Sequence, residues 1–187
     1  MIFLCGHHNT GKTTIANWLK DFGFPHVETG NVIREIYNNL SNNTKSFENW
    51  AVETNKRDPH FFDECLLDKI KKINFSLSNN KDIVVTGNRQ KSGVEYLIKN
   101  AKNSKKNIVL FLDAPISELF QRQIKRTDRI IPNLTFALFK NDYIGFDEAM
   151  GVEKIREISD SIIDTHRDIG EIKKDIKLIL QDKGYII

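Results

Sequence analysis

Chemistry-bearing residues begin at the sixth position of this 187-residue chain. Gly6-His7-His8-Asn9-Thr10-Gly11-Lys12-Thr13-Thr14 satisfies every required position of the pattern G-x-x-x-x-G-K-[ST]. The chemistry of such a stretch is the holding of phosphate groups. Glycine at positions 6 and 11 opens backbone conformations closed to residues with a Cβ, so main-chain N–H groups turn inward around phosphate oxygens. A helix starting directly afterwards adds the positive end of its dipole. Lys12 then supplies a mobile point charge for β- and γ-phosphates, and the Thr13 hydroxyl is placed to ligate Mg²⁺. His7, His8, Asn9, Thr10 and Thr14 complete the loop. Two neighbouring histidines in a tight loop rarely share a metal, and His7 and His8 are read as spacers.

A phosphate loop needs a strand before it and a helix after it. Met1-Ile2-Phe3-Leu4-Cys5 is an apolar run suited to a buried parallel strand. From Thr13 to Phe22, the residues Ile15, Ala16, Trp18, Leu19 and Phe22 share one helical face. Further strands are expected over Phe24–Thr29, Asp82–Thr86, Asn107–Leu112 and Ser161–Thr165. Helices are expected over Gly30–Leu40, Phe47–Asn55 and Pro59–Ile73, the last opening on Asp58 as N-cap with Pro59 at the first helical position. Others cover Gly93–Lys102, Ile116–Lys125, Thr135–Ala149, Glu153–Ile158 and Gly170–Asp182, with a break at Gly151-Val152 and a cap at Gly184. Asp113 stands where it could reach a metal site or cap the helix entered through Pro115. Short apolar strands separated by helices predict an α/β fold, a five-stranded parallel sheet covered on both faces. The expected strand order is 2-3-1-4-5, with the first strand central beside a switch point. Residues 1–187 form a single domain, and polar loops at Ser41–Ser46 and Ser76–Lys81 are too short to divide it.

Composition narrows the function classes. Hydrophobic residues make up 40% and charged residues 28%, as in a globular protein. Lys and Arg number 28 against 25 Asp and Glu, so the net charge of +3 is too small for a nucleic-acid-binding footprint. Cys5 and Cys65 have no metal or redox spacing, and a reducing, cytoplasmic setting is expected. The first apolar run ends in the phosphate loop after five residues, too short for a signal peptide. No stretch approaches the ~18 apolar residues of a membrane span.

The motifs in series resemble the nucleoside monophosphate kinases. They are Gly6 to Lys12-Thr13, Thr29-Gly30-Asn31-Val32-Ile33-Arg34, Val85-Thr86-Gly87-Asn88-Arg89 and Leu112-Asp113-Ala114-Pro115, with Arg122 and Arg126 beyond. The likeness is strongest to small adenylate-kinase-like and dephospho-CoA-kinase-like proteins of archaea and phages. It implies a three-layer P-loop NTPase fold and transfer of a γ-phosphoryl group from ATP, with Mg²⁺, to a (deoxy)nucleoside monophosphate. Lys12, Arg34, Arg89 and Arg126 would be catalytic. Arg122 and Arg129 would join the loop residues in holding the donor. An acceptor-binding helical insert would span about 30–75 and a mobile lid about 126–150. The implied partners are ATP and a small nucleotide acceptor, in a monomer or homodimer. The chain departs from the family at Thr86, where an acid is usual, at Asn31, often Asp, and at Arg126-Thr127-Asp128-Arg129, which has one Asp where two are usual.

The arginine roles also stand on physical grounds. An acceptor phosphate calls for planar, bidentate cations. Arg34 and Arg89 follow glycines at strand ends, where open parallel sheets bind ligands. Arg122 and Arg126, four apart, share a helix face. Three other readings compete. Asn55-Lys56-Arg57-Asp58 and Asp142-Tyr143-Ile144-Gly145 fit short guanine-nucleotide motifs, in reversed order for a regulatory GTPase. A hydroxyl acceptor such as dephospho-CoA, a nucleoside or a DNA base would use Glu28 as general base. A nucleotide-binding protein without turnover would keep the loop alone.

Overall fold

The computed structural model describes residues 1–40, 45–76, 82–100, 107–128 and 130–187. Its centre is a five-stranded parallel sheet in the order β2-β3-β1-β4-β5. The strands are β1 (Ile2–Cys5), β2 (His26–Glu28), β3 (Val84–Thr86), β4 (Ile108–Asp113) and β5 (Ser161–Asp164). Ile2 pairs with Val84 on one side and Ile108 on the other, so β1 is enclosed by neighbours. All four residues of β1 are buried, which is why the strand reads as an unbroken apolar run and not as an alternation.

Alternate side chains feed two separate cores. Phe3, Cys5, Val85, Val109 and Phe111 pack with α2 (Thr29–Asn38), α4 (Phe61–Ser76), α5 (Lys91–Asn100) and α9 (Val152–Arg156), through residues such as Val32, Leu66, Leu97 and Ile155. Ile2, Leu4, Val84, Leu110 and Leu112 pack against α1 (Lys12–Lys20) and α10 (Ile169–Asp182), through Ile15, Leu19, Ile172 and Ile176. α3 (Phe47–Arg57) joins this framework beside α4. A third, smaller cluster joins Leu119 of α6 (Ile116–Lys125) to Phe139 of α7 (Phe136–Phe139) and to Ile144. That cluster seats residues 136–150 over the C-terminal end of the sheet.

Three local expectations are corrected. The single helix expected over Thr135–Ala149 is α7, a π-helical turn over Lys140–Ile144, and α8 (Gly145–Met150). The Gly145 N–H reaches back five residues to the Lys140 carbonyl. This wider turn brings Phe139 and Ile144, five apart, into one cluster, where an α-helix would point them well apart. α4 begins at Phe61, not Pro59: the Asp58 carboxylate takes the His60 N–H at 3.1 Å and holds Pro59 in a preceding turn. α5 begins at Lys91 and carries Gly93 inside it. A Cβ there would stand 2.6 Å from the Asp63 carboxylate, so Gly93 marks a close approach of α4 and not a helix start.

Leu110 is 0% exposed in the core between β4 and α10. Leu110→Ala is expected to cost about 2–5 kcal/mol, read as a lowered urea midpoint with an unchanged slope.

Candidate active site

Between β1 and α1 the chain turns in six residues, from Gly6 to Gly11. Gly6 has φ 129° and Gly11 φ 88°. Inside the turn the buried Thr10 hydroxyl donates to the His7 carbonyl at 3.0 Å. Lys12 Nζ donates to the Gly6 carbonyl at 2.9 Å, to the His7 carbonyl, and to Thr10 Oγ1 at 3.2 Å. Burial, and then the nearby Arg89 charge, push the Lys12 ammonium down to about 7. The Cys5 thiol below is pushed up to about 12 by burial, so it is an inert apolar group. Thr13 and Thr14 are exposed on the first turn of α1.

The loop forms the floor of a cleft of about 760 Å³ at the C-terminal ends of the strands. Lys12, Arg34, Arg89, Arg122, Arg126 and Arg167 line it, against the carboxylates of Glu28 and Asp128. That imbalance suits a highly anionic occupant. Arg122 donates to the Asn9 carbonyl at 3.3 Å and to the Thr165 carbonyl at 2.5 Å, while Glu118 holds its Nε at 3.1 Å. Arg126 reaches Asn9 Oδ1 at 3.0 Å and pairs with Asp128 at 2.6 Å. Arg34 lies over the Phe47 ring at 5.6 Å. Five of the expected cations therefore meet on one cleft. Arg129 lies outside the described residues.

Arg89 is engaged more elaborately. Its guanidinium pairs with Asp147, lies 3.1 Å from His8 Nε2, and sits over the Phe146 ring at 5.2 Å. Asp147, on α8, is 0% exposed. Nothing in the sequence distinguishes it from the other polar residues of that helix, and only the fold reveals it. His7 and His8 are not spacers. His8 gives its backbone N–H to Asp147 at 2.7 Å and brings Nδ1 within 2.9 Å of it. His7 Nε2 lies 2.8 Å from Glu153 of α9. The side chains at these two free loop positions reach segments some 140 residues away in sequence, where no local pattern could place them. Asp113 does not cap α6. It pairs with Arg156 at 2.9 Å, and Pro115 takes the N-cap position of α6. Thr86 is buried and its hydroxyl lies 2.8 Å from His26 Nε2, while the Glu28 side chain stands beside Gly87 at that strand end.

Among the described residues no three His, Cys, Asp or Glu side chains cluster as a metal centre. The exposed Thr13 hydroxyl fits Mg²⁺ nonetheless, because that ion is usually held by few protein groups together with phosphates and water. Held there, it would neutralise phosphate charge. Asn55-Lys56-Arg57-Asp58 closes helix α3 and follows no strand, so it lacks the context of a guanine-binding motif. No described helix is long and apolar enough to cross a membrane.

A family model described as an AAA domain matches residues 5–133. No curated protein matches the chain in a sequence comparison. Among solved structures, a sugar kinase from Janibacter is similar at TM-score 0.61 and 15% identity, covering 98% of this chain and 94% of that one. A gluconokinase from Sinorhizobium meliloti is similar at TM-score 0.58 and 16% identity, covering 97% and 91%. A shikimate kinase from Acinetobacter baumannii, in complex with shikimate, is similar at TM-score 0.57 and 19% identity, covering 98% and 94%.

The depressed Lys12 ammonium makes anion binding pH-dependent. Its ordinary value is 10.5 and its value in the folded chain is about 7, so the folded protein holds a neutral amine at pH 8 to 9. A polyphosphate beside Lys12 favours the charged form and raises that value again. Binding of pyrophosphate is therefore expected to take up a proton above pH 7 and to weaken as pH rises from 7 to 9. Calorimetry at pH 8.5 in two buffers of different ionisation enthalpy measures the uptake, and identical heats in both would contradict it.

Proposed function

The chain belongs to the AAA domain family, and on that premise we propose that it is an ATP-dependent kinase of a small-molecule acceptor. The observation that carries the reading is the convergence of Lys12 and five arginines on one cleft floored by the phosphate loop. Phosphoryl transfer asks mainly for positioning and charge neutralisation, and this cleft offers both. ATP is the donor. Its phosphates lie on the 6–14 loop, with Mg²⁺ held at Thr13 and Arg122 and Arg126 alongside. The reaction takes place in the cytoplasm, and residues 126–150 act as a lid that excludes water when closed. The likeness to gluconokinase and shikimate kinase structures supports a kinase with a small acceptor.

For the acceptor we favour a nucleoside monophosphate, its phosphate held by Arg34 and Arg89. Both arginines line the cleft, as do Gly30 and Gly87. Of the proposed acceptor-binding insert, Gly30 and Arg34 of α2 line the cleft, and α4 packs against α2 with α3 beside it. A second reading has one observation in its favour. Arg89 already carries a carboxylate partner in Asp147, and Glu28 lines the cleft close to Arg34. That arrangement suits a hydroxyl acceptor, with Glu28 taking its proton as general base. A panel of nucleoside monophosphates, nucleosides, dephospho-CoA and small polyols, each with ATP and Mg²⁺, separates the two by which acceptor supports ADP release.

Lys12→Ala is expected to leave the protein folded and to remove almost all turnover, read as ADP release, because the side chain bonds only the loop and packs in no apolar core. Arg34→Ala is expected to lower kcat/KM for an anionic acceptor by about 10- to 100-fold, the worth of one hydrogen bond to an ionised group. KM for ATP should move far less. An Arg34 variant that loses ATP binding and keeps acceptor binding would reverse the assignment of the two halves of the cleft.

A further inference from the structure

Three elements that a phosphoryl transfer must hold in register meet at one carboxylate. Asp147 belongs to α8, 139 positions from His8 and 58 from Arg89, yet its side chain is 0% exposed. One oxygen accepts the backbone N–H of His8 at 2.7 Å and faces His8 Nδ1 at 2.9 Å and His7 Nδ1 at 3.5 Å. The other takes the guanidinium of Arg89, which follows β3. A second Arg89 nitrogen lies 3.1 Å from His8 Nε2. The His8 tautomer that donates from Nδ1 to Asp147 and accepts at Nε2 from Arg89 satisfies both contacts. Aromatic rings close the assembly. Tyr143 meets His8 edge-on with centroids 5.3 Å apart, and Phe146 lies under the Arg89 guanidinium.

We propose that Asp147 is a positioning residue that locks the lid helix to the phosphate loop and to the acceptor-side arginine at once. A buried carboxylate survives in a fold only where donors surround it. Here every donor comes from a segment with its own catalytic task. When α8 is seated, the carboxylate fixes the Arg89 fork in one direction and ties His8 to it. Asp147 does not line the cleft, so it acts through Arg89 and the loop and does not touch the substrate. Glu153 adds a second tie from α9, holding His7 Nε2 at 2.8 Å and Arg156 at 2.8 Å. The inference rests on the kinase reading for its catalytic consequence, but the clamp itself can be measured without turnover.

Asp147→Asn keeps the volume and removes the charge. Its amide can accept from only one of the two donors and turns an N–H₂ toward the other. The one amide oxygen faces Arg89 and the N–H₂ faces His8. Arg89 therefore keeps only a neutral partner in place of a charged one and the His8 amide loses its acceptor, while the other loop amides and Lys12 still face the donor. D147N is expected to lower kcat/KM for the acceptor by about 10- to 100-fold with KM for ATP changed less than about threefold. Because the two residues act as one unit, D147N combined with R89A should be no worse than R89A alone. Losses that multiply in the double variant, or a D147N enzyme with native kinetics, would overturn the proposal. Hydrogen exchange supplies the measurement that needs no acceptor. D147N should release the His8 amide at least tenfold, with the β1 and β4 amides unchanged. Should D147N fail to fold, R89A tests the same link from its cleft-lining end, by releasing the amides of 145–150. Unaltered protection at both places refutes the clamp. A wild-type protein that phosphorylates no acceptor refutes the kinase reading instead, and the exchange result still decides the clamp.

Discussion

Gly6 leaves β1 with φ 129°, and a side chain on it would stand 2.1 Å from the Leu112 carbonyl oxygen. The ends of β1 and β4 therefore meet as backbone against backbone. That contact sets where the loop can begin. The loop's own hydrogen bonds follow from it: Thr10 closes onto the His7 carbonyl, and Lys12 folds over Gly6, His7 and Thr10. The enclosed place of β1, between β3 and β4, follows from the same demand. A loop that presents its N–H groups to a ligand must stand where helices from neighbouring strands diverge to either face.

Charge is the second constraint. Six cations face one cleft, and each must be held apart from the others when no anion screens them. The fold manages this with local partners: Glu118 for Arg122, Asp128 for Arg126 and Asp147 for Arg89. Lys12 has instead given up part of its affinity for a proton. Exposed pairs of this kind contribute little to stability, so Glu118 and Asp128 orient their arginines more than they strengthen the fold. Asp147 differs because it is fully buried, and removing its partners would leave an uncompensated charge.

Residues 136–150 connect these two constraints. The π-helical turn over Lys140–Ile144 seats Phe139 and Ile144 on α6 and thereby aims Asp147 at the loop. π-turns within helices are frequent at functional sites. The same segment thus carries the buried carboxylate that joins His8 to Arg89.

Sequence alone determined the class of fold and the floor of the site. The phosphate loop is legible because its chemistry depends on backbone conformation and spacing within nine neighbouring residues, Gly6 to Thr14. The order of the strands is legible because strands buried on both faces read as short apolar runs such as Ile83-Val84-Val85 and Ile108 to Leu112, and the loop requires the first of them at the centre. Arg34, Arg89, Arg122 and Arg126 could be picked out by their distance from glycines or from each other. What only the tertiary structure decided is who holds them. Asp147 lies 139 positions from His8 and 58 from Arg89, and its helix shows no feature that separates a buried acid from a solvated one. His7 and His8 looked like spacers for the same reason, since their partners on α8 and α9 are close only in space. Burial and charge pairing between distant segments are set by how helices are seated on a sheet, and periodicity along the chain carries no record of that.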